Sequence, residues 1–270
     1  MTTELPEWTA TAKPAVTVAC FVLLWLWETF FPLVAGRRHR WRHAGRNVAI
    51  AVLNTVALAV VFGAATVGVA NWAAERQWGL LSLLGLSGLG HWLAAIVLQD
   101  LWLYVWHRLN HGVPFLWRFH RMHHADPEMD VTTATRFHLG EHIGSATLRL
   151  GLIPLIGLTA AEILVYDTLV VVITMFHHAN ISLGVADRPL RWLIVTPRMH
   201  QIHHSRWRPE TDSNFSVLFS MWDRLARTFR MRAGSQPVEL GLDEFDDDRW
   251  QTIAGMLRTP LARNEPRPPP

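Results

Sequence analysis

The feature that most limits the fold of this chain is a series of apolar runs long enough to cross a lipid bilayer. The first run covers residues 15–34 and the second covers residues 48–72. A helix needs roughly 20 apolar residues to span the hydrocarbon core of a bilayer. Hydrophobic residues make up 50% of the chain and charged residues only 17%, a balance typical of integral membrane proteins. We therefore predict an all-α fold, a polytopic membrane helix bundle.

Two later apolar regions are interrupted. Residues 79–90 contain glycines at short intervals, which predicts a bent or half-inserted segment. Residues 147–176 are too long for one straight span and too short for two, and they contain Pro154 and Gly157. Because candidate ligands flank this second region on both sides, the chain must return to the side it left. We expect a kinked membrane hairpin there.

Basic residues indicate how the chain is oriented. The loop at residues 36–47 carries five arginines between the first two runs, so the positive-inside rule places it in the cytoplasm. A metal would be repelled by these arginines, and we expect His39 and His43 to be solvated contacts to lipid headgroups. The formal charge is +3, but the basic residues flank apolar segments and form no continuous stripe. This distribution indicates anionic lipid as the partner and argues against nucleic acid.

The histidines are clustered with helical spacing. The pattern His-x2-His-His occurs in residues 117–126 and again in residues 199–205, and HRLNH adds a pair one helical turn apart. Offsets of three and four residues place side chains on one face of a helix. Eight imidazoles exceed the needs of one tetrahedral metal, so the number predicts two metal ions. The eight are His107, His111, His120, His123, His124, His200, His203 and His204.

Two aspartates inside apolar regions are candidates to orient these ligands. Asp100 shares a helix face with His107, and Asp167 shares one with His178. A carboxylate that accepts a hydrogen bond from an imidazole fixes the orientation of that ligand. For Asp100, pairing with Arg108 or with another helix is the alternative.

The residues alone leave the metal and the activity open. Imidazole ligation suits iron, zinc, copper or nickel, whereas the single cysteine, Cys20, excludes an iron–sulfur cluster bound by cysteines of this chain. An O2-dependent oxidoreductase, a zinc-dependent membrane hydrolase and a non-enzymatic metal or electron-transfer membrane protein are all consistent with such a site. Dependence on O2 distinguishes the first from the second.

Six motifs in their order along residues 99–228 resemble the fatty acid hydroxylase and sterol desaturase superfamily of membrane di-iron oxygenases. They are DLWLYVWHRLNH, FHRMHH, TATRFHLGEH, FHHAN, TPRMHQIHHS and WDRL. The resemblance implies that the eight histidines bind two iron ions, which zinc can replace in purified protein. It adds His138 and His178 as ligands, Glu141 and Asn180 as supporting residues, and His142 and His177 as neighbours that either ligate or form hydrogen bonds.

The same resemblance implies hydroxylation, or desaturation, of a C–H bond in a lipid or sterol-like substrate drawn from the bilayer, with O2 as the oxidant. The chain has no fingerprint for a flavin, a dinucleotide or haem. We therefore expect an external electron donor, such as a ferredoxin, a cytochrome b5-like protein or a reductase.

The motifs also divide the chain. We expect an N-terminal transmembrane region at residues 1–98, a catalytic domain at residues 99–230 with a histidine-rich metal-binding cap facing the cytoplasm, and a partly disordered tail at residues 231–270. The composition favours a bacterial inner membrane.

Overall fold

The computed structural model describes residues 9–35, 39–233 and 238–263. Within these ranges the chain is helical, and its β-structure is limited to isolated bridges. The helices are α1 (Thr9–Phe30), α2 (Arg40–Glu75), α3 (Leu80–Leu83), α4 (Gly88–Gly112), α5 (Pro114–His124), α6 (Leu139–Ile156), α7 (Ala160–His178), α8 (Asp187–Leu190), α9 (Pro197–His203), α10 (Arg208–Thr211), α11 (Met221–Leu225) and α12 (Ile253–Arg258).

Three stretches of helix are long and apolar enough to cross a membrane, namely Ala12–Phe30, Arg40–Leu83 and Ala160–His178. Their outer surfaces carry large apolar side chains such as Leu23, which is 67% exposed, and Val60, which is 78% exposed. Contiguous apolar surface of this kind is stable in lipid and unfavourable in water. The structure confirms the all-α, polytopic membrane bundle.

The start of α2 differs from the prediction for the basic loop. His43 is directed inward, and its two ring nitrogens lie 2.8 Å from the Asp126 carboxylate and 3.1 Å from that of Asp130. The expectation of a solvated headgroup contact is therefore wrong for His43. The sequence near His43 could not reveal this contact, because the two aspartates lie more than 80 positions further along the chain. Their hydrogen bonds to the ring determine its position more strongly than the neighbouring arginines do. Residues 36–38 of this loop lie outside the described residues.

Two glycines form the contact between the segment that precedes α3 and the turn between α6 and α7. Gly79 precedes α3 with φ of +118°, and a Cβ atom on it would lie 2.4 Å from the backbone nitrogen of Gly157. Gly157, with φ of +90°, ends α6 and separates it from α7. Both positions require glycine because other residues rarely adopt such φ values. Helices α6 and α7 are therefore separated by a break at Gly157, within the region where the sequence predicts an interrupted helix.

The C-terminal part of the described chain packs against α5. Met256 of α12 is fully buried with Ile50 and Met122. The guanidinium of Arg121 donates hydrogen bonds to the carbonyl oxygens of Thr259, at 3.1 Å, and Ala262, at 2.8 Å. This segment thus supports the helix that carries three of the candidate ligands. Residues 264–270 of the expected tail lie outside the described residues.

Candidate metal centre

Both histidine tripods lie on short helices, as their spacing predicts. Each helix has a proline in its first turn, Pro114 in α5 and Pro197 in α9. Proline is favoured there because a backbone N–H in the first turn has no acceptor within the helix, so the N–H that proline lacks is not needed. The φ of proline also suits a helix. The Thr196 side chain also caps α9 by accepting a hydrogen bond from the backbone N–H of Met199.

Nine buried histidines of the described chain form two adjoining groups in which the ring nitrogens lie within 4.8 Å of one another. The first histidine group consists of His107, His111, His120, His124 and His203. The second histidine group consists of His123, His178, His200 and His204. The groups touch each other, since the stacked rings of His124 and His204 have centroids 4.5 Å apart. All eight histidines predicted from spacing, together with His178, are brought together here.

Each tripod is divided between the two groups. On α5, His120 and His124 join the first group while His123 joins the second. Residues four apart on a helix are nearly aligned, and the residue three positions on projects from the other side of the same stripe. The equivalent division at α9 sends His203 to the first group and His204 to the second. A tripod therefore contributes to both candidate metal positions.

Backbone carbonyls fix two rings of the first group. Nδ1 of His107 lies 2.8 Å from the carbonyl oxygen of Phe215, and Nδ1 of His203 lies 2.7 Å from that of Ser213. A carbonyl oxygen only accepts hydrogen bonds, so Nδ1 carries the proton in both rings. The Nε2 atom of each ring is then the one that presents a lone pair.

Carboxylates hold two further rings of this group. Nδ1 of His120 donates to Glu141 at 3.0 Å, and Nδ1 of His111 donates to Asp212 at 3.3 Å. Such bonds fix the orientation of a ligand imidazole and make its free nitrogen more basic. Glu141 thus has the supporting position that the family resemblance implies, whereas Asp212 was not identified from the sequence.

The free nitrogens are arranged as metal ligands would be. Nε2 of His107 and Nε2 of His203 lie 3.0 Å apart, and neither carries a proton, because both Nδ1 atoms do. Two lone pairs at this distance repel each other unless a cation lies between them. In the second group Nε2 of His178 lies 3.1 Å from that of His123 and 3.0 Å from that of His200. The donor set therefore fits divalent transition metals.

Burial favours the neutral form of the candidate ligand imidazoles. Burial, reinforced by the neighbouring histidines, lowers the pKa of His123, His124, His200, His203 and His204 well below the ordinary value of 6.5. Only the neutral imidazole has a lone pair for a metal. The clusters are thus ready to bind metal at neutral pH.

The other predicted histidines lie outside both groups. His138 uses both ring nitrogens elsewhere, since Nδ1 accepts from the backbone N–H of Gly140 at 2.9 Å and Nε2 lies 3.2 Å from the carbonyl oxygen of Leu257. His177 packs on His200 with ring centroids 4.0 Å apart. His142 lines the cavity described below. These three residues are neighbours of the centre in this structure.

The remaining candidates support the fold around the centre. Asp100 accepts hydrogen bonds from the backbone N–H groups of Leu218 and Phe219 and from the indole of Trp222, at 3.2, 3.0 and 2.7 Å. It thereby holds the segment that includes Phe215, whose carbonyl orients His107.

Asp167 and Asn180 also have partners outside both groups. Asp167 forms an ion pair with Arg149 at 2.7 Å. The backbone N–H of Asn180 donates to Glu28 at 3.0 Å, and its side chain bonds to the backbone of Val34. These contacts join α6 to α7 and α1 to the segment after α7.

A cavity of about 340 Å³ opens onto both histidine groups. Helices α2, α4, α6 and α7 form its walls, and side chains such as Leu58, Leu103 and Val170 make them largely apolar. The ring of Phe137 lies in this cavity and stacks on His123 with centroids 4.1 Å apart. A long apolar molecule could therefore lie in the cavity with one part beside the histidines.

A family model for fatty acid hydroxylases matches residues 92–228. This range is half of the chain and contains both histidine groups. The chain belongs to the fatty acid hydroxylase family. Among its curated relatives, an ornithine lipid hydroxylase of Rhizobium tropici is 30% identical over 54% of this chain and 44% of its own length.

Two further relatives are a rat cholesterol 25-hydroxylase and a human alkylglycerol monooxygenase. The rat protein is 30% identical over 60% of this chain and 54% of its own length. The human protein is 26% identical over 56% of this chain and 33% of its own length. The chain thus spans between a third and about half of each of these relatives. No solved structure matches it.

Proposed function

We propose that this protein is a membrane-bound di-iron oxygenase that hydroxylates a C–H bond of a lipid, using O2 and an external reductant. The observation that carries the proposal is the pair of adjoining, buried, all-imidazole groups at the end of an apolar cavity between membrane helices. When bound, two iron ions would supply the redox chemistry that an unactivated C–H bond requires.

In this proposal the residues of the chain bind the lipid, orient the imidazoles and exclude water. The apolar walls of the cavity would take up a lipid chain from the bilayer and keep water away from the reacting carbon. Phe137 and the histidines at the end of the cavity would determine which carbon comes closest to the metals. Asp212 and the carbonyls of Ser213 and Phe215 would hold the imidazoles in position.

Hydroxylation is favoured over desaturation by the names of the relatives, which are hydroxylases and a monooxygenase. The same centre would support desaturation if a second hydrogen atom of the substrate came within reach. The substrate we propose is a lipid or a sterol-like molecule, and zinc is the metal expected to replace iron in purified protein.

We further propose that the centre faces the cytoplasm, in an inner membrane if the host is bacterial. The histidine groups lie at the same end of the bundle as the arginine-rich start of α2, because His43 of that helix bonds to Asp126, two positions after His124. A ferredoxin, a cytochrome b5-like protein or a reductase would deliver electrons from this side.

The first experiment is metal analysis of protein purified in mild detergent from iron-supplemented cells, followed by O2 consumption with a reductant and a lipid extract. We expect about two irons per chain, in keeping with two histidine groups, and lipid-dependent O2 uptake. His123→Ala should lose iron and O2 uptake together, whereas His39→Ala, at an exposed position outside both groups, should lose neither.

Folded protein without stoichiometric metal would contradict the proposal. Two bound zinc ions with lipid hydrolysis, and no O2 uptake after reconstitution with iron, would identify a membrane hydrolase instead.

A further inference from the structure

Three buried oxygen acceptors that have no hydrogen-bond partner among the described residues belong to residues that line the apolar cavity. They are Oδ1 of Asn54, Oδ1 of Asn110 and Oε2 of Glu141. The three residues are only 4%, 1% and 7% exposed. The residues belong to α2, α4 and α6 respectively, so three separate helices each contribute a residue with an unpaired acceptor to the lining of one cavity.

The contacts of the amide nitrogens determine how the side-chain amides of Asn54 and Asn110 are oriented. Nδ2 of Asn54 donates to the carbonyl oxygen of Phe137 at 2.8 Å, and Nδ2 of Asn110 donates to Oε1 of Glu141 at 3.1 Å. Carbonyl and carboxylate oxygens only accept hydrogen bonds, so the amide nitrogens must face them. The amide oxygens are then the unpaired atoms of both side chains.

Unpaired acceptors in a buried site lower the stability of the folded protein, so folding does not explain why they are present. Most buried polar atoms of proteins have a partner, because removal from water without one destabilises the fold. Three such oxygens on residues around one largely apolar cavity are the pattern of a ligand site, in which a few polar groups select and orient the ligand.

The acceptors lie next to the candidate metal centre. The Glu141 carboxylate that carries the unpaired Oε2 also accepts from Nδ1 of His120 at 3.0 Å. Asn54 bonds to Phe137, whose ring stacks on His123. A group bound by these oxygens would therefore be close to both histidine groups.

We propose that Asn54, Asn110 and Glu141 form a subsite that binds a hydrogen-bond donor of the lipid, a hydroxyl or an amide N–H, close to the carbon that is oxidised. The inference rests on the proposed function for the role of that lipid as substrate. A carboxylate or an ester offers acceptors only and would be repelled by these three oxygens. The preferred substrates are thus lipids with a donor group near the oxidised carbon, and free fatty acids bound by their carboxylate are excluded.

The test is equilibrium binding of radiolabelled probes to the purified metal-loaded protein in mixed micelles, without reductant. One probe pair is hexadecyl glyceryl ether and its dimethyl ether, which has the same oxygens but no O–H donor. The other pair is N-hexyl hexadecanamide and its N-methyl derivative, which lacks the N–H. Whichever pair shows the preference distinguishes a hydroxyl from an amide donor.

We expect the donor-bearing member of one pair to bind about tenfold or more tightly than its methylated partner. Asn54→Leu and Asn110→Leu should reduce this preference to about threefold or less. Thr55→Val, which removes a hydroxyl from the wall of the same cavity, should retain it. Metal content of each variant serves as the check on folding.

Equal binding of both members of each pair to the wild-type protein would overturn the proposal. So would a preference that persists in both asparagine variants. Because binding is measured without turnover, a donor preference in a protein that never consumes O2 would refute the oxygenase and leave the subsite standing.

Discussion

The two histidine groups differ in how their rings are held. In the first group, hydrogen bonds from Nδ1 to a carbonyl or a carboxylate fix four of the five rings. In the second group only His178 has such a bond, at 2.8 Å to the carbonyl oxygen of Thr174. The Nδ1 atoms of His123, His200 and His204 have no partner among the described residues.

This difference predicts that the two candidate metal positions differ in their affinity for a metal ion. Outer hydrogen bonds to ligand imidazoles typically raise metal affinity by about 10–100-fold. We therefore expect the first group to hold its ion more tightly and the second to exchange more readily. The fewer constraints on the second group would also leave its rings freer to adjust around a bound ion.

The largest effect should come from removing one ligand of either group. His203 and His204 are neighbours in sequence but belong to different groups. We expect His203→Ala and His204→Ala each to lower substrate oxidation about a thousandfold or more, because paired metal ions act as one unit. Metal analysis should show that each variant retains at most one ion. Retention of two ions by either variant would show that the residue is not a ligand.

A smaller effect is expected when an outer bond of the first group is lost. Asp212→Ala removes the acceptor for Nδ1 of His111 and should weaken the tighter ion by about 10–100-fold. Titration with a competing chelator measures this affinity. The control is Arg208→Ala, which removes the ion pair to Asp212 at 2.9 Å and leaves His111 its acceptor. Equal losses in the two variants would show that charge pairing, not ring orientation, is responsible.

Release of the two ions should occur in two phases that differ in rate by about tenfold, because hydrogen bonds to Nδ1 hold more rings in the first histidine group than in the second. Stopped-flow mixing of the metal-loaded protein with a coloured chelator would resolve them. Asp212→Ala should accelerate only the slower phase. A single phase carrying both ions would remove the distinction between the groups.

The smallest effect, per residue, should be a pH dependence of the stability of the metal-free protein, to which histidines of both groups contribute. Burial lowers the pKa of histidines such as His124 and His200 below 6.5. Below that pH the unfolded chain binds protons that the folded, metal-free chain does not. Its stability should thus fall with pH below about 6.5, by roughly 1.4 kcal/mol per histidine and pH unit.

Tryptophan-fluorescence melting of chelator-treated protein would detect this loss as a Tm lower by about 2–4 °C for each kcal/mol. Protein with both metals bound should show the decline only where the metals dissociate. A Tm for the metal-free protein that is the same at about pH 7.5 and about pH 5.5 would show that the imidazoles are not held neutral by the fold.

The centre could be predicted from sequence to the extent that it depends on helix periodicity. The spacing of His120, His123 and His124 requires a common stripe on a helix, and that stripe is present in α5. The pairing of His120 with His124 follows from their offset of four residues, whereas the metal position that the pair joins depends on the helices packed beside α5. His178 was already a candidate from its place after the second interrupted apolar region, and the family resemblance implied its role as a ligand.

Partners distant in sequence account for most of what the sequence did not reveal. The carbonyl oxygens of Ser213 and Phe215 orient two ligands, yet every residue has a carbonyl and no side chain marks these two. His43 and His138 have the same chemistry as the ligands, but buried aspartates and the segment around Leu257 use their nitrogens. Asn54 did carry a signal, as a polar residue within an apolar run.

The ligands come from α4, α5, α7 and α9, and this distribution has a consequence for biosynthesis. The first group is incomplete until His203 has been translated, and the second until His204 has been translated. Among the described residues, the three helical stretches that are long enough to span a membrane all precede these histidines in the chain. During translation the ribosome therefore delivers the membrane helices first and the last ligands afterwards. If the proposed centre holds two metal ions, their insertion would be a late step of maturation, and the supply of metal at that step would determine how much of the newly made protein becomes active.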